Sequence, residues 1–437
     1  MNASATSPPP RRRFRRVTTG LSKITGYALS MILLAVVSLM AIPSMVTASG
    51  AAAWGMIAAG QSIGGVAAVI IAYGWGMSGP AAIARADAPG RLREYAESVV
   101  CKLLICLPFG AAAFAIAWAV GRDYALFAAC GALSTASVGL TANWWFVGLS
   151  QPYRLLVFET VPRVAGTFVG ILLMEAGASA LVGVLWQLIG MLAAFVVCTL
   201  WILRPWRLRA LRRIERRPVG TVLAAQRNGL TSTVVSSLYA ATPIVLVSLI
   251  APGVQPVYAV VEKVQRQVIV GLGPFVTVLQ GWIPRARGAE LLVRVKRGMI
   301  AATIGASILG ILMFVAAQEL VAWLGGGLIH PTIVTLLLMS VITAVSLVES
   351  VASKAALSAL NRLDVAAKAT SISAIVGLPL VALGALLAGA SGALSGILAG
   401  LSLRLLLELL GMQKAMAHSE AQSRSVSIDP EVEVGGA

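Results

Sequence analysis

The residues that could do chemistry in this sequence of 437 amino acids are a few charged side chains inside long apolar runs. Glu159 and Arg163 are four residues apart, as are Glu262 and Arg266, so each pair lies on one face of a helix. Lys263 adds a positive charge beside the second pair. Ionisable groups are costly in hydrocarbon and usually face a bundle interior or a watery cavity, so these five are candidate functional residues.

The same spacing also fits a purely structural role, in which acid and base neutralise each other and hold helices together. Arg404 and Glu408 have this spacing near the end of an apolar run, where a structural pair is favoured because the arginine can extend to the interface. Glu349 and Lys354 are equally ambiguous. The sequence leaves open which of these groups are functional.

Catalytic and metal-binding residues are scarce. His330 and His418 are the only two histidines, and the four cysteines lie in apolar runs without CxxC spacing. The sequence therefore has too few suitably spaced residues for a Ser–His–Asp or Cys–His site, a zinc site or a disulfide framework. We expect no enzyme, no metal site and no bound cofactor.

The elements that must position these residues follow from composition. The chain is 58% hydrophobic and only 12% charged, and its mean hydropathy is +0.88. A soluble domain has about 25% charged residues, so only a polytopic helical membrane protein fits. Twelve runs are long enough to span a bilayer: 24–46, 51–75, 99–120, 124–148, 155–174, 179–203, 229–251, 256–283, 299–324, 331–352, 367–389 and 391–412.

The net charge of +17 sets the orientation. With the N-terminus inside, 29 of the 34 Lys and Arg residues fall on the inner side, and Arg122 alone falls in an outer loop. The positive-inside rule therefore places both termini in the cytoplasm and the chain in the cell membrane. The charge excess is explained by topology and does not indicate nucleic-acid binding.

The chain divides into two similar halves. We predict a basic cytoplasmic N-terminal arm, a six-helix lobe, a basic linker, a second six-helix lobe and a disordered cytoplasmic tail, which are residues 1–23, 24–203, 204–228, 229–412 and 413–437. An offset of 204 residues pairs Gln61 with Gln265 and Pro80 with Pro284, as a repeated half would.

Three stretches carry a resemblance to a known family. Residues 54–100, with the Ala82-Ile83-Ala84-Arg85 end of their helix, resemble the second span and inner loop of polysaccharide-exporting flippases. These flippases belong to the multidrug/oligosaccharidyl-lipid/polysaccharide (MOP) superfamily. Residues 257–286 are similar to its eighth span, and 346–370 to its turn between spans 10 and 11.

The resemblance implies an all-α fold of twelve transmembrane helices, in two six-helix lobes around a central cavity that opens to alternate sides. It implies export of an undecaprenyl-diphosphate-linked oligosaccharide from the inner to the outer leaflet. Membrane lipids, a glycan polymerase and glycosyltransferases are the implied partners. A cationic surplus within the spans separately favours an anionic cargo.

The site residues fall into two sets. By their location, the residues that match the substrate-binding role are Arg85, Arg163, Lys263 and Arg266. Glu159 and Glu262 are the candidates for coupling to an H⁺ or Na⁺ gradient.

Other functions remain open. A drug or metabolite antiporter, of the multidrug (MATE) or major facilitator type, would have a similar span pattern. A membrane glycosyltransferase or glycan polymerase usually needs a large outer loop, and the predicted outer loops are short. An ion channel would leave the two-half organisation unexplained.

Overall fold

A computed structural model describes residues 10–204, 217–286, 288–360 and 362–428. Every regular element in these ranges is a helix, so the all-α membrane class is confirmed. The chain forms two compact units, Met1–Ala241 and Thr242–Ala437.

The first unit starts with a long helix that bends at Gly50, whose φ of 85° is open to glycine but strained for other residues. Its helices, in chain order, are α1 (Pro10–Ala72), α2 (Trp75–Arg85), α3 (Ala88–Gly121), α4 (Ala125–Ala136), α5 (Asn143–Gly148), α6 (Pro152–Leu155), α7 (Val161–Glu175) and α8 (Ala180–Ile202). Helix α9 (Val219–Ile250) follows and crosses the division between the units.

The second unit ends in the longest helix, which breaks at Ala388 and Gly389, where φ and ψ leave the helical region. Its helices are α10 (Gln255–Gly271), α11 (Gly273–Trp282), α12 (Gly288–Leu324), α13 (Ile333–Val351) and α14 (Leu363–Ile428). Two π-helical turns, Leu156–Thr160 in the first unit and Ala352–Leu357 in the second, interrupt otherwise α-helical runs.

Seven helical stretches in the described part of the chain are long and apolar enough to cross a membrane. Three of them, Gly26–Ala72, Ala88–Gly148 and Asp364–Ala417, have 47, 61 and 54 residues. Since about 20 residues cross the hydrocarbon, each can hold the two spans predicted there. An eighth candidate is the pair Ala240–Ile250 and Pro252–Gly271, bent by 117°.

The helices extend past the predicted segment boundaries at both ends of the described chain, and α9 begins at Val219, inside the predicted linker 204–228. Helix α14 continues to Ile428, past residue 413, where the disordered tail is predicted to begin, and residues 429–437 lie outside the described residues. Helix α1 already begins at Pro10, inside the predicted arm. Apolar periodicity marks where a helix enters the membrane, and a polar helical extension carries no such signal.

Small residues allow close helix packing in the first unit. A Cβ on Gly60 would meet the backbone of Ala128, and one on Gly64 the backbone of Ala132, so α1 and α4 touch backbone to backbone. Such contacts drive helix association in lipid, where burial of apolar surface adds little. Large apolar side chains instead remain exposed along the helices; Leu107 is 79% and Ile375 75% exposed.

Candidate functional site

Glu159 lies inside the first unit, in the π-helical turn Leu156–Thr160, and is only 3% exposed. Pro162 follows the turn and has no N–H, so it cannot donate to the carbonyl of Phe158. The thiol of Cys198 on α8 donates to this carbonyl instead, with Sγ 3.3 Å from the oxygen. Pro162 therefore follows a π-helical turn that carries Glu159.

The carboxylate of Glu159 reaches a break in the neighbouring predicted span, between α4 and α5. The N–H of Ala142 donates to Glu159 Oε2 at 3.1 Å. The carbonyl of Thr141 accepts from Lys102 Nζ at 2.9 Å. The peptide group that leaves the helix therefore has a buried charged side chain at each end, as non-helical backbone at membrane depth requires.

Arg163 is the third charged member of this group. Its Nη1 lies 3.5 Å from Glu159 Oε1, and its side chain is 21% exposed. We refer to Lys102, Glu159 and Arg163, with the peptide group from Thr141 to Ala142, as the Glu159 cluster. Two cations and one carboxylate give it a formal surplus of one positive charge.

Aromatic rings form one wall of the Glu159 cluster. Lys102 Nζ lies 5.8 Å from the ring centre of Trp144, a cation–π contact. Tyr95 stacks on Trp144 and meets Trp145 edge-on, at centroid distances of 6.0 and 5.3 Å. The Tyr95 hydroxyl is 3.0 Å from the Thr199 hydroxyl. The charges therefore lie in a packed wall of rings, where electrostatic interactions are stronger than in water.

The second unit holds the other predicted residues on one helix, α10. Arg266 Nε donates to Glu262 Oε1 at 2.9 Å, which confirms the predicted pair. The side chain of Arg266 nevertheless remains 47% exposed. The half-buried Lys263 is attracted by the charge of Glu262 and repelled by that of Arg266. Gln265 on the same helix donates to the Met339 carbonyl at 3.0 Å and fixes α10 against α13.

Arg85, the remaining predicted substrate residue, is exposed in the last turn of α2. The structure thus joins Glu159 to Arg163 and Glu262 to Arg266, within two different units, and places Arg85 on a separate helix. The substrate-binding and ion-coupling roles of these residues stay predictions.

Lys102 is the member of the Glu159 cluster that sequence reasoning missed. It is the fourth residue of the apolar run 99–120, and the positive-inside count includes it among the 29 inner cations. The structure buries it to 2% exposure. A lysine just inside a span could have been flagged as intramembrane, but its contact with a broken helix could not be read from the sequence.

A second buried ionic group lies in the second unit. Arg404 on α14 pairs with Glu349 of α13 and, through Nε at 3.1 Å, with Glu408. Glu408 is fully buried and Glu349 is 7% exposed. The predicted pair of Arg404 and Glu408 is therefore confirmed and is extended by a third residue, Glu349.

No three His, Cys, Asp or Glu side chains in the described ranges are placed to hold a metal ion.

Solved structures with the same fold are transporters. The chain is similar to "Inward-facing conformation of a multidrug resistance MATE family transporter of the MOP superfamily", with 14% identity, a TM-score of 0.65, and coverage of 89% of this chain and 99% of that one. A second similar structure is the eukaryotic MATE transporter AtDTX14, with 13% identity, a TM-score of 0.52, and coverage of 94% and 99%. A MATE protein in complex with MaD3S has 14% identity, a TM-score of 0.54, and coverage of 92% and 96%.

These likenesses extend along nearly the whole chain and show a MATE-type fold. No family model and no curated protein matches the sequence. The fold is therefore shared with a transporter of the MOP superfamily, as the sequence resemblance predicts, and none of these comparisons supports the polysaccharide flippase subfamily.

Proposed function

We propose that this chain is an ion-coupled exporter of organic solutes that works by alternating access. Its fold is that of the MATE transporters, one of which is described as a multidrug resistance transporter. The observation that carries the proposal is the Glu159 cluster, because a buried carboxylate between two cations inside a membrane protein is costly and is usually kept for function.

Glu159 offers a chemical route for coupling. As a carboxylate it accepts from the N–H of Ala142 and attracts Arg163. Binding of a proton or of Na⁺ would weaken these contacts and so alter the hold on the break between α4 and α5. An ion that binds one conformation more strongly than the other shifts the equilibrium between them, which is what coupling requires.

The test is transport by purified protein in liposomes that contain a fluorescent cationic dye, with an imposed H⁺ or Na⁺ gradient. We expect one of the two gradients to drive wild-type dye movement, and Glu159→Gln to remove that stimulation. Glu175→Gln is the matched control, because Glu175 ends α7 and is exposed. Gradient-driven transport by Glu159→Gln at the wild-type rate would contradict the coupling role.

The second candidate function is export of an undecaprenyl-diphosphate-linked oligosaccharide. It is favoured by the half-exposed side chain of Arg266 next to Lys263 on the same helix, two cations suited to a diphosphate. The same liposomes distinguish the two, since a flippase would move a fluorescent polyprenyl diphosphate sugar between leaflets and leave the dye inside. The pairing of Arg163 and Arg266 with carboxylates is why we place the organic solute first.

A further inference from the structure

A cavity of about 450 Å³ lies in the first unit, apart from the Glu159 carboxylate, where α6 and the end of α8 meet. Its lining residues are Tyr153, Arg154, Val157, Phe158, Trp201 and Arg204. Arg154 and Arg204 lie at the ends of the spans that the positive-inside rule predicts to face the cytoplasm. The cavity therefore lies at the predicted level of the inner lipid headgroups.

Trp201 is the fixed centre of this cavity. Its ring stacks on Phe158 at a centroid distance of 4.8 Å and lies 5.8 Å from Phe146. The guanidinium carbons of Arg154 and Arg204 lie 5.0 and 5.4 Å from the centre of the same indole. One aromatic ring thus contacts both cations.

The described lining of the cavity includes two cationic side chains, Arg154 and Arg204. None of the described residues that line the cavity is a carboxylate. Arg154 Nη1 donates to Gln151 Oε1 at 3.0 Å, a neutral partner. A guanidinium that stacks on an indole keeps N–H donors in its plane, and these donors match the oxygens of a phosphate.

An apolar surface continues from the two arginines along each helix. Val157 and Val161 follow Arg154 at helical spacing and are 55% and 50% exposed. Val197, four residues before Trp201 on α8, is 38% exposed, and Leu200 is 68% exposed. A ligand with a phosphate at one end and hydrocarbon at the other fits this order of side chains.

We propose that Arg154, Arg204 and Trp201 bind the phosphodiester headgroup of an anionic glycerophospholipid, whose acyl chains lie along Val157, Val161 and Val197. Basic pockets between membrane helices on the cytoplasmic side are suited to anionic headgroups. The lipid would hold α8 against α6 at the start of the basic linker. This inference does not depend on the identity of the exported solute.

The test compares lipid binding by the purified full chain in native mass spectrometry, with phosphatidylglycerol and phosphatidylcholine of identical acyl chains. Wild type should bind phosphatidylglycerol more tightly. Arg154→Gln with Arg204→Gln should weaken that binding roughly 30-fold, since a basic residue at the membrane surface contributes about a factor of five. Arg297→Gln with Lys414→Gln, a control at two exposed positions with the same charge change, should retain it.

Three results would overturn the proposal. The first is a glutamine variant that prefers phosphatidylglycerol as strongly as wild type does. The second is full displacement of the lipid by millimolar inorganic phosphate, which would mean a site for free anions. The third applies where the glutamine variant does not fold: Arg154→Lys with Arg204→Lys keeps the charge but loses the planar stacking, and binding as tight as wild type would contradict the role of the guanidinium groups.

Discussion

Lys102 and Glu159 bind the two ends of a single peptide group. Lys102 Nζ donates to the Thr141 carbonyl at 2.9 Å, and the N–H of Ala142 donates to Glu159 Oε2 at 3.1 Å. That peptide group lies where the predicted span 124–148 breaks between its helices. Two side chains from different helical segments therefore replace the hydrogen bonds that a continuous helix would have supplied.

Replacement of Glu159 should separate its structural role from its charge. Glu159→Leu leaves the Ala142 N–H and the Arg163 guanidinium without their acceptor, and we expect a loss of about 3–5 kcal/mol of stability. Glu159→Gln keeps an oxygen for Ala142, so we expect a smaller loss. Thermal unfolding of the purified proteins in detergent should rank wild type as the most stable, Glu159→Gln next and Glu159→Leu last. Equal melting temperatures for Leu and Gln would contradict the hydrogen bond.

Lys102→Met tests the other end of the peptide group. The substitution keeps the apolar stem but leaves the Thr141 carbonyl without its donor, at an expected cost of about 1–3 kcal/mol. The double variant with Glu159→Gln should cost less than the sum of the two single changes, because both act on one peptide. Lys414→Met, at an exposed position, is the control and should change little. Strict additivity would mean that the two ends are independent.

The charged pairs and the membrane class were predictable because both depend on local patterns. Apolar runs define spans, and spacing of four residues places Glu262 beside Arg266 on one helix turn. The break between α4 and α5 was not predictable, since it lies inside a continuous hydrophobic run and its peptide group is satisfied by two distant side chains, Lys102, 39 positions before Thr141, and Glu159, 17 positions after Ala142. The Cys198 contact with the Phe158 carbonyl is non-local in the same way.

Adjacent glycines on α1 should respond in opposite ways to alanine. A Cβ at Gly64 would clash with the Ala132 backbone, so Gly64→Ala should push α4 away and cost about 1–3 kcal/mol. A Cβ at Gly65 meets nothing within 4 Å, and Gly65→Ala should be neutral or stabilise by roughly 0.5–1 kcal/mol. Melting temperatures of the two variants check this. A Gly64→Ala variant as stable as wild type would exclude the close contact.

Arg404 should be among the most sensitive positions of the second unit. Arg404→Leu leaves Glu349 and Glu408 buried without a cation, and we expect a loss of about 3–5 kcal/mol. Adding Glu408→Leu should restore part of it, because one buried charge is removed. Arg362→Leu breaks an exposed pair with Asp364 and should cost at most about 1 kcal/mol. A double variant less stable than Arg404→Leu would contradict the repulsion argument.

Substitution of Arg266 tests whether the exported solute carries a negative or a positive charge. Its side chain is 47% exposed although it pairs with Glu262, and a guanidinium has five N–H donors, more than one carboxylate uses. Arg266→Gln should weaken transport of an anionic solute by roughly 10- to 150-fold, the effect of one charge-assisted hydrogen bond of about 1.5–3 kcal/mol. Export of a cationic dye should stay within about twofold, because a cation gains nothing from this group. Arg297→Gln, at an exposed position of α12, is the matched control. The measurement compares the liposome transport rates of wild type and Arg266→Gln for the two solutes. An unchanged rate for the anionic solute would contradict a role for Arg266 in substrate binding.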